Sequence, residues 1–249
     1  MKSLLRLLPL LIFLGAWHLG TVGNPRRIFF FGSPTLVAEE FWRAITEDGL
    51  VRDVAMTAAE ALTGFAIGNL LGAAGGLTLW HMRTLFTVLR PYILALGSAP
   101  LFALAPIIII WFGTGFVAKV VITTLSTVFV ALMQAYKGAE EVDVDLIDVV
   151  RSFGGQRSHV FRKIVMPASL AWVTAAFRLN IGLALLGAFL GEYISSESGL
   201  GHLILVAGGL YNIPLILVGV LCIMGLGWLL SWGVGAIEGP LKRALVRSL

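Results

Sequence analysis

Charged side chains are scarce in this sequence of 249 residues, and so are the groups that usually carry enzyme chemistry. Only 13% of the residues are charged and 58% are hydrophobic, whereas a soluble domain carries about 25% charged residues. No Gly-Lys pair occurs, which excludes a P-loop for nucleotide. The four histidines are scattered without paired carboxylates, so no metal site and no cofactor is predicted. The single cysteine, Cys222, can form no disulfide within the chain.

Apolar runs make up most of what is present, and six of them are long enough to cross roughly 30 Å of hydrocarbon. They lie near residues 4–23, 54–79, 88–112, 116–136, 170–191 and 213–236. The first run resembles a signal peptide, but no small-residue cleavage site follows it, so it is interpreted as a retained span. The sequence therefore predicts an all-α membrane protein with six transmembrane helices, in a single transmembrane domain over residues 1–249.

The distribution of lysine and arginine predicts the orientation of these spans. If the N-terminus is cytoplasmic, twelve basic residues fall on the cytoplasmic side: Lys2, Arg6, Arg83, Arg90, Lys137, Arg151, Arg157, Arg162, Lys163, Lys242, Arg243 and Arg247. Five fall on the other side: Arg26, Arg27, Arg43, Arg52 and Lys119. The positive-inside rule then predicts that both termini are cytoplasmic. The net charge of +4 is explained by this topology and gives no indication of nucleic acid as a partner.

The segment 137–163, between the fourth and fifth spans, holds ten of the 32 charged residues. Acidic residues come first and basic residues follow, which suits the dipole of a helix. An apolar stripe recurs at helical spacing, at Val142, Leu146, Val149, Val150 and Phe153. Gly154 and Gly155 then predict the end of this short amphipathic helix. The stripe indicates a protein partner; the alternative is a helix lying flat on lipid, and the basic stretch 156–166 is expected to rest on headgroups.

Two ionisable residues, Glu60 and Arg178, fall within predicted spans. An unpaired charge in hydrocarbon costs at least about 2.5 kcal/mol, so each is expected to face protein polar groups, water or the other charge. Arg178 indicates either a path for an anion or a structural ion pair. Asn180 and Glu192 lie on the same span and are further candidates for a translocation path. The stretch 193–201 that follows is compatible with a re-entrant turn or with a plain connection.

Small residues and prolines predict how the spans pack and bend. Glycine at every fourth position from 64 to 72 predicts a close approach of another helix. Pro100 and Pro106 predict a kink in the third span, either for packing or for lining a pore. Ser33 and Pro34 predict the N-cap and the first residue of a short helix that runs to about Glu47.

The long loop also carries a motif. Asp148-Val149-Val150, Gly154 and Ile164-Val165-Met166-Pro167 have the spacing of the EAA motif, which is Glu-Ala-Ala, three residues, Gly, nine residues, Ile-x-Leu-Pro. The sequence thereby resembles the permeases of binding-protein-dependent ABC importers. Segments 99–115, 177–179 and 191–201 are similar to the nitrate/sulfonate/taurine group of these permeases, within a resemblance that covers residues 50–236. Glu60 departs from the group, which commonly has arginine at this position.

This resemblance implies a type I importer permease in the bacterial inner membrane, with no enzyme activity of its own. The implied partners are a second copy of the permease, a cytoplasmic ATPase dimer that hydrolyses ATP, and an extracytoplasmic solute-binding protein, besides membrane lipid. The residues implied for ATPase coupling are Glu140, Leu146, Asp148, Val149, Val150, Phe153, Gly154 and Pro167. The implied solute is a small anion of the sulfonate, taurine or nitrate type, although other branches carry pyrimidine or flavin precursors. The alternative functions are an ATP-independent channel and a structural membrane subunit.

Overall fold

The computed structural model describes residues 2–247, and within them all side chains except those of residues 2–7, 10, 102, 237 and 240–247. The described chain is helical, as predicted, and its helices are joined by short connections. The helices are α1 (Lys2–Thr21), α2 (Pro25–Phe31), α3 (Pro34–Thr46), α4 (Leu50–His81), α5 (Arg83–Gly97), α6 (Leu101–Phe112), α7 (Phe116–Glu140), α8 (Val144–Ser152), α9 (Arg157–Val160), α10 (Met166–Ile194), α11 (Leu200–Gly209) and α12 (Ile213–Arg247). A π-helical turn, Phe161–Val165, joins α9 to α10 without a break.

Four helical segments in the described part of the chain are long and apolar enough to cross a membrane. They are α4, α7, the continuous segment Arg157–Ile194 and the first part of α12, Ile213–Ala236. They confirm the second, fourth, fifth and sixth predicted spans, each longer than or as long as predicted. The first predicted span corresponds to α1. The stretch after α10 contains α11, a helix of only ten residues, which is too short to cross a bilayer.

The prediction of one continuous third span over residues 88–112 is wrong. α5 ends at Gly97, and α6 begins at Leu101 after a non-helical break. Pro100 causes this break, because it has no amide hydrogen to donate and disfavours helical backbone in the residue before it. The kink predicted at Pro100 is therefore a complete interruption, whereas Pro106 lies inside α6.

The glycine repeat of α4 packs closely against α7, as predicted. A Cβ added at Gly68 would overlap Thr127 Oγ1, and a Cβ added at Gly72 would overlap the backbone oxygen of Val128. α10 approaches the same helix through Gly187, where an added Cβ would lie 2.8 Å from the α7 backbone. Glycine is needed at these positions because the helix backbones are almost in contact. α4, α7 and α10 therefore form the centre of the helix packing.

The short helices α2 and α3 pack at the edge of this centre. Ser33 caps α3 by accepting a hydrogen bond from the amide of Leu36 at 3.3 Å, and Pro34 is the first residue of the helix. Both features confirm the predicted start of this element. Val37 and Ala44 on α3 are buried in an apolar cluster that includes residues of α4, α10, α11 and α12.

Candidate functional site

The predicted amphipathic helix is α8, which is shorter than the sequence suggested. α7 continues to Glu140, and the chain turns before α8 begins at Val144. Asp143 caps α8 by accepting a hydrogen bond from the amide of Asp145 at 2.9 Å. Arg151 lies in the last turn, so that acidic and basic residues occupy the helix ends that the dipole favours.

Two glycines end α8, and each is needed for a different reason. Gly154 has φ +78°, a left-handed backbone conformation that side chains other than glycine rarely adopt. The amide of Gly155 donates to the oxygen of Val150 at 2.9 Å, and the amide of Gly154 donates to that of Arg151 at 2.9 Å. These bonds form a Schellman motif. A Cβ at Gly155 would overlap Val150, so this position excludes a side chain for steric reasons.

The apolar residues of α8 lie on two faces rather than on one stripe. Ile147 and Val150 pack on a buried cluster formed by the ends of α4, α5 and α7. Leu146, Val149 and Phe153 point away from the helix bundle and are 54%, 53% and 88% exposed. We call these last three residues the outer face of α8. Val150, which the resemblance implies for ATPase coupling, is partly buried against the rest of this chain, and its coupling role stays a prediction.

The other predicted coupling residues lie around α8. Glu140 is exposed at the last turn of α7, and Pro167 is buried at the start of α10. Asp148 is exposed and lies 3.5 Å from Arg151, one turn along the helix. The coupling roles of these residues stay predictions.

The connection from α8 to α10 is held against the end of α4. Arg157 Nη2 donates a hydrogen bond to the oxygen of His81 at 3.0 Å. The ring of Phe161 lies 4.4 Å from the ring of His81 and stacks on Trp80 at 5.9 Å, measured between centroids. We call this end of the bundle the α8 end. These contacts attach the segment between α8 and α10 to the end of α4.

At the opposite end of α4, three side chains cap the N-terminus of α11. The amides of residues 199–201 donate to Asp53 Oδ1 at 2.8 Å, to Thr57 Oγ1 at 3.0 Å and to Glu192 Oε2 at 2.8 Å. Thr57 also donates to the other oxygen of Glu192 at 2.7 Å. These bonds join α4, α10 and α11, and they satisfy the amides that the start of a helix leaves free.

Glu60 belongs to the same polar cluster, one turn further along α4. Its side chain is 1% exposed, and its carboxyl group interacts with that of Glu192, which is completely buried. Lys119 on α7 interacts electrostatically with both acids, and its Nζ donates to the oxygen of Thr114 at 2.6 Å. The sequence analysis missed Lys119 and Thr57 as members of this cluster. The sequence signal that could have identified Lys119 was its position as a lone lysine near the start of an apolar run.

Glu60 and Arg178 do not pair with each other. Arg178 Nε lies 3.2 Å from Glu238 Oε2 on α12, and 67% of the arginine side chain is exposed. Asn180 is completely buried and donates to Asn69 Oδ1 at 2.7 Å, which joins α10 to α4. Of the four residues predicted along a translocation path, three are buried and Arg178 is exposed, and their roles in transport stay predictions.

The side chains that the structure describes hold no cluster of potential metal ligands. Among them, no group of three or more His, Cys, Asp or Glu residues is placed to hold a metal ion. The buried acid Glu192 instead accepts hydrogen bonds from a backbone amide and from Thr57, and it interacts with Glu60. These bonds join helices to one another, and large apolar side chains are exposed on several of the helices besides α8.

Several known proteins are similar to this chain in sequence or in fold. A riboflavin transport system permease protein of Chloroflexus aurantiacus is 32% identical over 96% of this chain and 87% of its own length. An Escherichia coli K12 protein named "Putative aliphatic sulfonates transport permease protein" is 29% identical over 95% of this chain and 91% of its own. In a solved structure, a subunit of the inward-facing MetNI methionine ABC transporter matches 77% of this chain and 95% of its own, with a TM-score of 0.68 and 19% identity.

A protein family also matches most of the chain. Residues 64–243 match the family described as the inner membrane component of binding-protein-dependent transport systems. This range includes α8, the Schellman motif at its end and most of the central helices. The fold is the type I permease fold that the sequence predicted, and the relatives are permease subunits of ABC transporters rather than enzymes. The chain belongs to the family of binding-protein-dependent transport system inner membrane components.

Proposed function

We propose that this chain forms the membrane path of an ABC importer and couples it to a separate ATPase through the outer face of α8. The observation that carries the proposal is the exposure of Phe153, 88%, at the end of a helix whose other face is packed on the bundle. A large apolar side chain fixed in this way is an anchor suited to a groove in a partner protein. The acids at the start of α8 would set the register of the contact.

Coupling needs a rigid connection between the docking helix and the helices that open the path. Ile147 and Val150 supply it on one side, and the contacts of Arg157 and Phe161 with α4 supply it on the other. Closure of an ATPase dimer would shift α8, and α4 and α10 would move with it. The proposed assembly contains two copies of the permease, two ATPase subunits and an external binding protein, with α8 on the cytoplasmic side.

Phe153→Ala tests this proposal. Truncation of a buried interface anchor costs more than about 2 kcal/mol, so the affinity of the permease for its ATPase should fall roughly thirtyfold. Phe30→Ala is the matched control, because Phe30 is also an exposed phenylalanine, 68% exposed, but lies on α2. ATPase binding by the purified permease, and solute-stimulated ATP hydrolysis in proteoliposomes, are the measurements. Equal ATPase binding by the two variants would exclude the outer face of α8 as the docking site.

The solute proposed first is a small organic anion of the sulfonate, taurine or nitrate type. Arg178 supports this, because 67% of its side chain is exposed even though its Nε lies 3.2 Å from Glu238. Arg178→Gln should then abolish uptake of such anions and leave assembly of the complex unchanged. If the variant transports as well as the parent protein, Arg178 does not contact the solute.

A heterocyclic solute is the second candidate, because the riboflavin permease is 32% identical over nearly the whole chain. Arg178 also shares a surface cavity with Trp228 and Trp232, which are 73% and 67% exposed. Indole rings stack on planar heterocycles as well as on guanidinium groups. Binding of sulfonates and of flavin or pyrimidine compounds to the partner binding protein would separate the two candidates.

A further inference from the structure

Three arginines line one cavity between α8 and the end of α4. Ile147 and Arg157 in its wall also belong to the proposed coupling connection, but neither that connection nor the translocation path involves a ligand in the cavity. The cavity has a volume of about 360 Å³ and is lined by the side chains of Arg83, Arg151 and Arg157. Its other walls are apolar or aromatic, among them Trp80 and Ile147, and no acidic residue is among those that line it. Three arginines in the wall of one cavity that no carboxylate lines favour an anionic ligand.

Carboxylates of this chain do not neutralise most of the charge of these arginines. In the described part of the chain, no carboxylate lies within ion-pair distance of Arg83 or Arg157, and Arg157 bonds only to the backbone oxygen of His81. Arg151 lies 3.5 Å from Asp148, but both side chains are more than 60% exposed. Exposed pairs of this kind contribute little, so Asp148 does not neutralise the cavity.

A second cavity beside the first indicates which anion fits. It shares Arg83 and Arg157 and is otherwise lined in part by Met82, Leu85 and Val88. These apolar side chains are 51%, 38% and 59% exposed on the first turns of α5. The N-terminus of α5 also has no side-chain cap, so its free amides are available to an oxyanion. A basic cavity next to an exposed apolar surface fits a ligand with a phosphate at one end and a hydrocarbon chain at the other.

We propose that these two cavities bind the headgroup phosphate of an anionic phospholipid, with its acyl chain along Met82, Leu85 and Val88. Basic pockets between helices at the cytoplasmic face of membrane proteins recognise lipid headgroups in this way. The positive-inside rule predicts that the α8 end faces the cytoplasm, where such lipids lie. The bound lipid would join α8 to the turn between α4 and α5. This site does not depend on the identity of the transported solute or on docking of an ATPase.

Native mass spectrometry of the purified full-length chain, titrated with phosphatidylglycerol, tests the site. Arg83→Gln and Arg157→Gln should each weaken binding about fivefold, the effect of one basic residue near an anionic lipid. Arg162→Gln is the matched control, because Arg162 is an exposed arginine of the same connection that lines neither cavity. Arg83→Lys keeps the charge and should retain most of the binding, which separates loss of charge from loss of folding.

Each outcome decides for or against the proposal. Selective loss in the two cavity variants, with phosphatidylcholine bound more weakly than phosphatidylglycerol, supports it. An equal loss in Arg162→Gln would show a diffuse charge effect and overturn the site, and so would an equal loss in Arg83→Lys and Arg83→Gln. If glycerol phosphate displaces the lipid at equal concentration, the ligand is a soluble phosphate and the acyl-chain contact is wrong.

Discussion

Replacement of Thr57 by valine would test the polar cluster at the α11 end of the bundle. Valine has nearly the same shape as threonine, so the change removes the hydroxyl and little else. That hydroxyl donates to Glu192 at 2.7 Å and accepts from the amide of Leu200 at 3.0 Å. Thr57 and Leu200 are both fully buried, so water cannot replace the lost partner.

The expected cost follows from these two bonds. A buried donor left without a partner costs about 1–3 kcal/mol, and the net loss of a hydrogen bond adds about 1 kcal/mol. Thr57→Val should therefore lower the free energy of unfolding by about 2–4 kcal/mol. A shift of this size is large against the free energy of about 5–15 kcal/mol that typically separates folded and unfolded states.

Unfolding of the detergent-solubilised protein by increasing fractions of SDS, followed by circular dichroism, is the measurement. Thr78→Val is the matched control, because Thr78 lies on the same helix, is exposed, and bonds only to the oxygen of Ala74 at 2.8 Å. The control should change the free energy of unfolding by less than about 0.5 kcal/mol. If the two variants are equally stable, the bonds of Thr57 do not hold α11 to α4 and α10.

Three other tests address backbone conformation, helix packing and ion pairing. Gly154→Val should destabilise the protein by about 1–3 kcal/mol because of the positive φ, and an unchanged unfolding curve would contradict that conformation. Gly72→Leu should lower the melting temperature, since overpacking costs about 1–3 kcal/mol; an unaltered value would contradict the close contact of α4 with α7. Arg178→Gln combined with Glu238→Gln should deviate from additivity by more than about 0.5 kcal/mol, whereas Arg178→Gln combined with Glu60→Gln should be additive. A deviation from additivity for Arg178 with Glu60 and none for Arg178 with Glu238 would refute the observed pairing.

The sequence predicted the features that depend on neighbouring residues. Hydrophobic runs located the long spans, because a membrane requires a minimum apolar length whatever the tertiary structure. The pair Gly154-Gly155 predicted the end of α8, since a left-handed residue is a local requirement. The glycine repeat of α4 predicted a close helix contact, because a stripe without side chains lets another helix approach. It could not identify α7 as the helix that makes this contact.

The features that depend on how helices are rotated against one another could not be predicted. Glu238 lies just beyond the predicted end of the sixth span, so nothing in the sequence linked it to Arg178. The neighbours of Glu60 come from α7 and α10, which meet α4 only in the folded bundle. Val150 was assigned to a partner surface because the periodicity of a short helix shows which residues are apolar but not which of them the same chain covers.

The two faces of α8 have a consequence for how this segment can diverge among related permeases. Substitutions at Ile147 and Val150 are constrained by the buried cluster of the same chain on which they pack, so compensating changes should occur within one gene. Substitutions at Leu146, Val149 and Phe153 are free of that constraint and, under the proposed docking, should change together with the gene for the ATPase. A permease that has exchanged its ATPase for another would then differ at the outer face of α8 and keep Ile147 and Val150 unchanged.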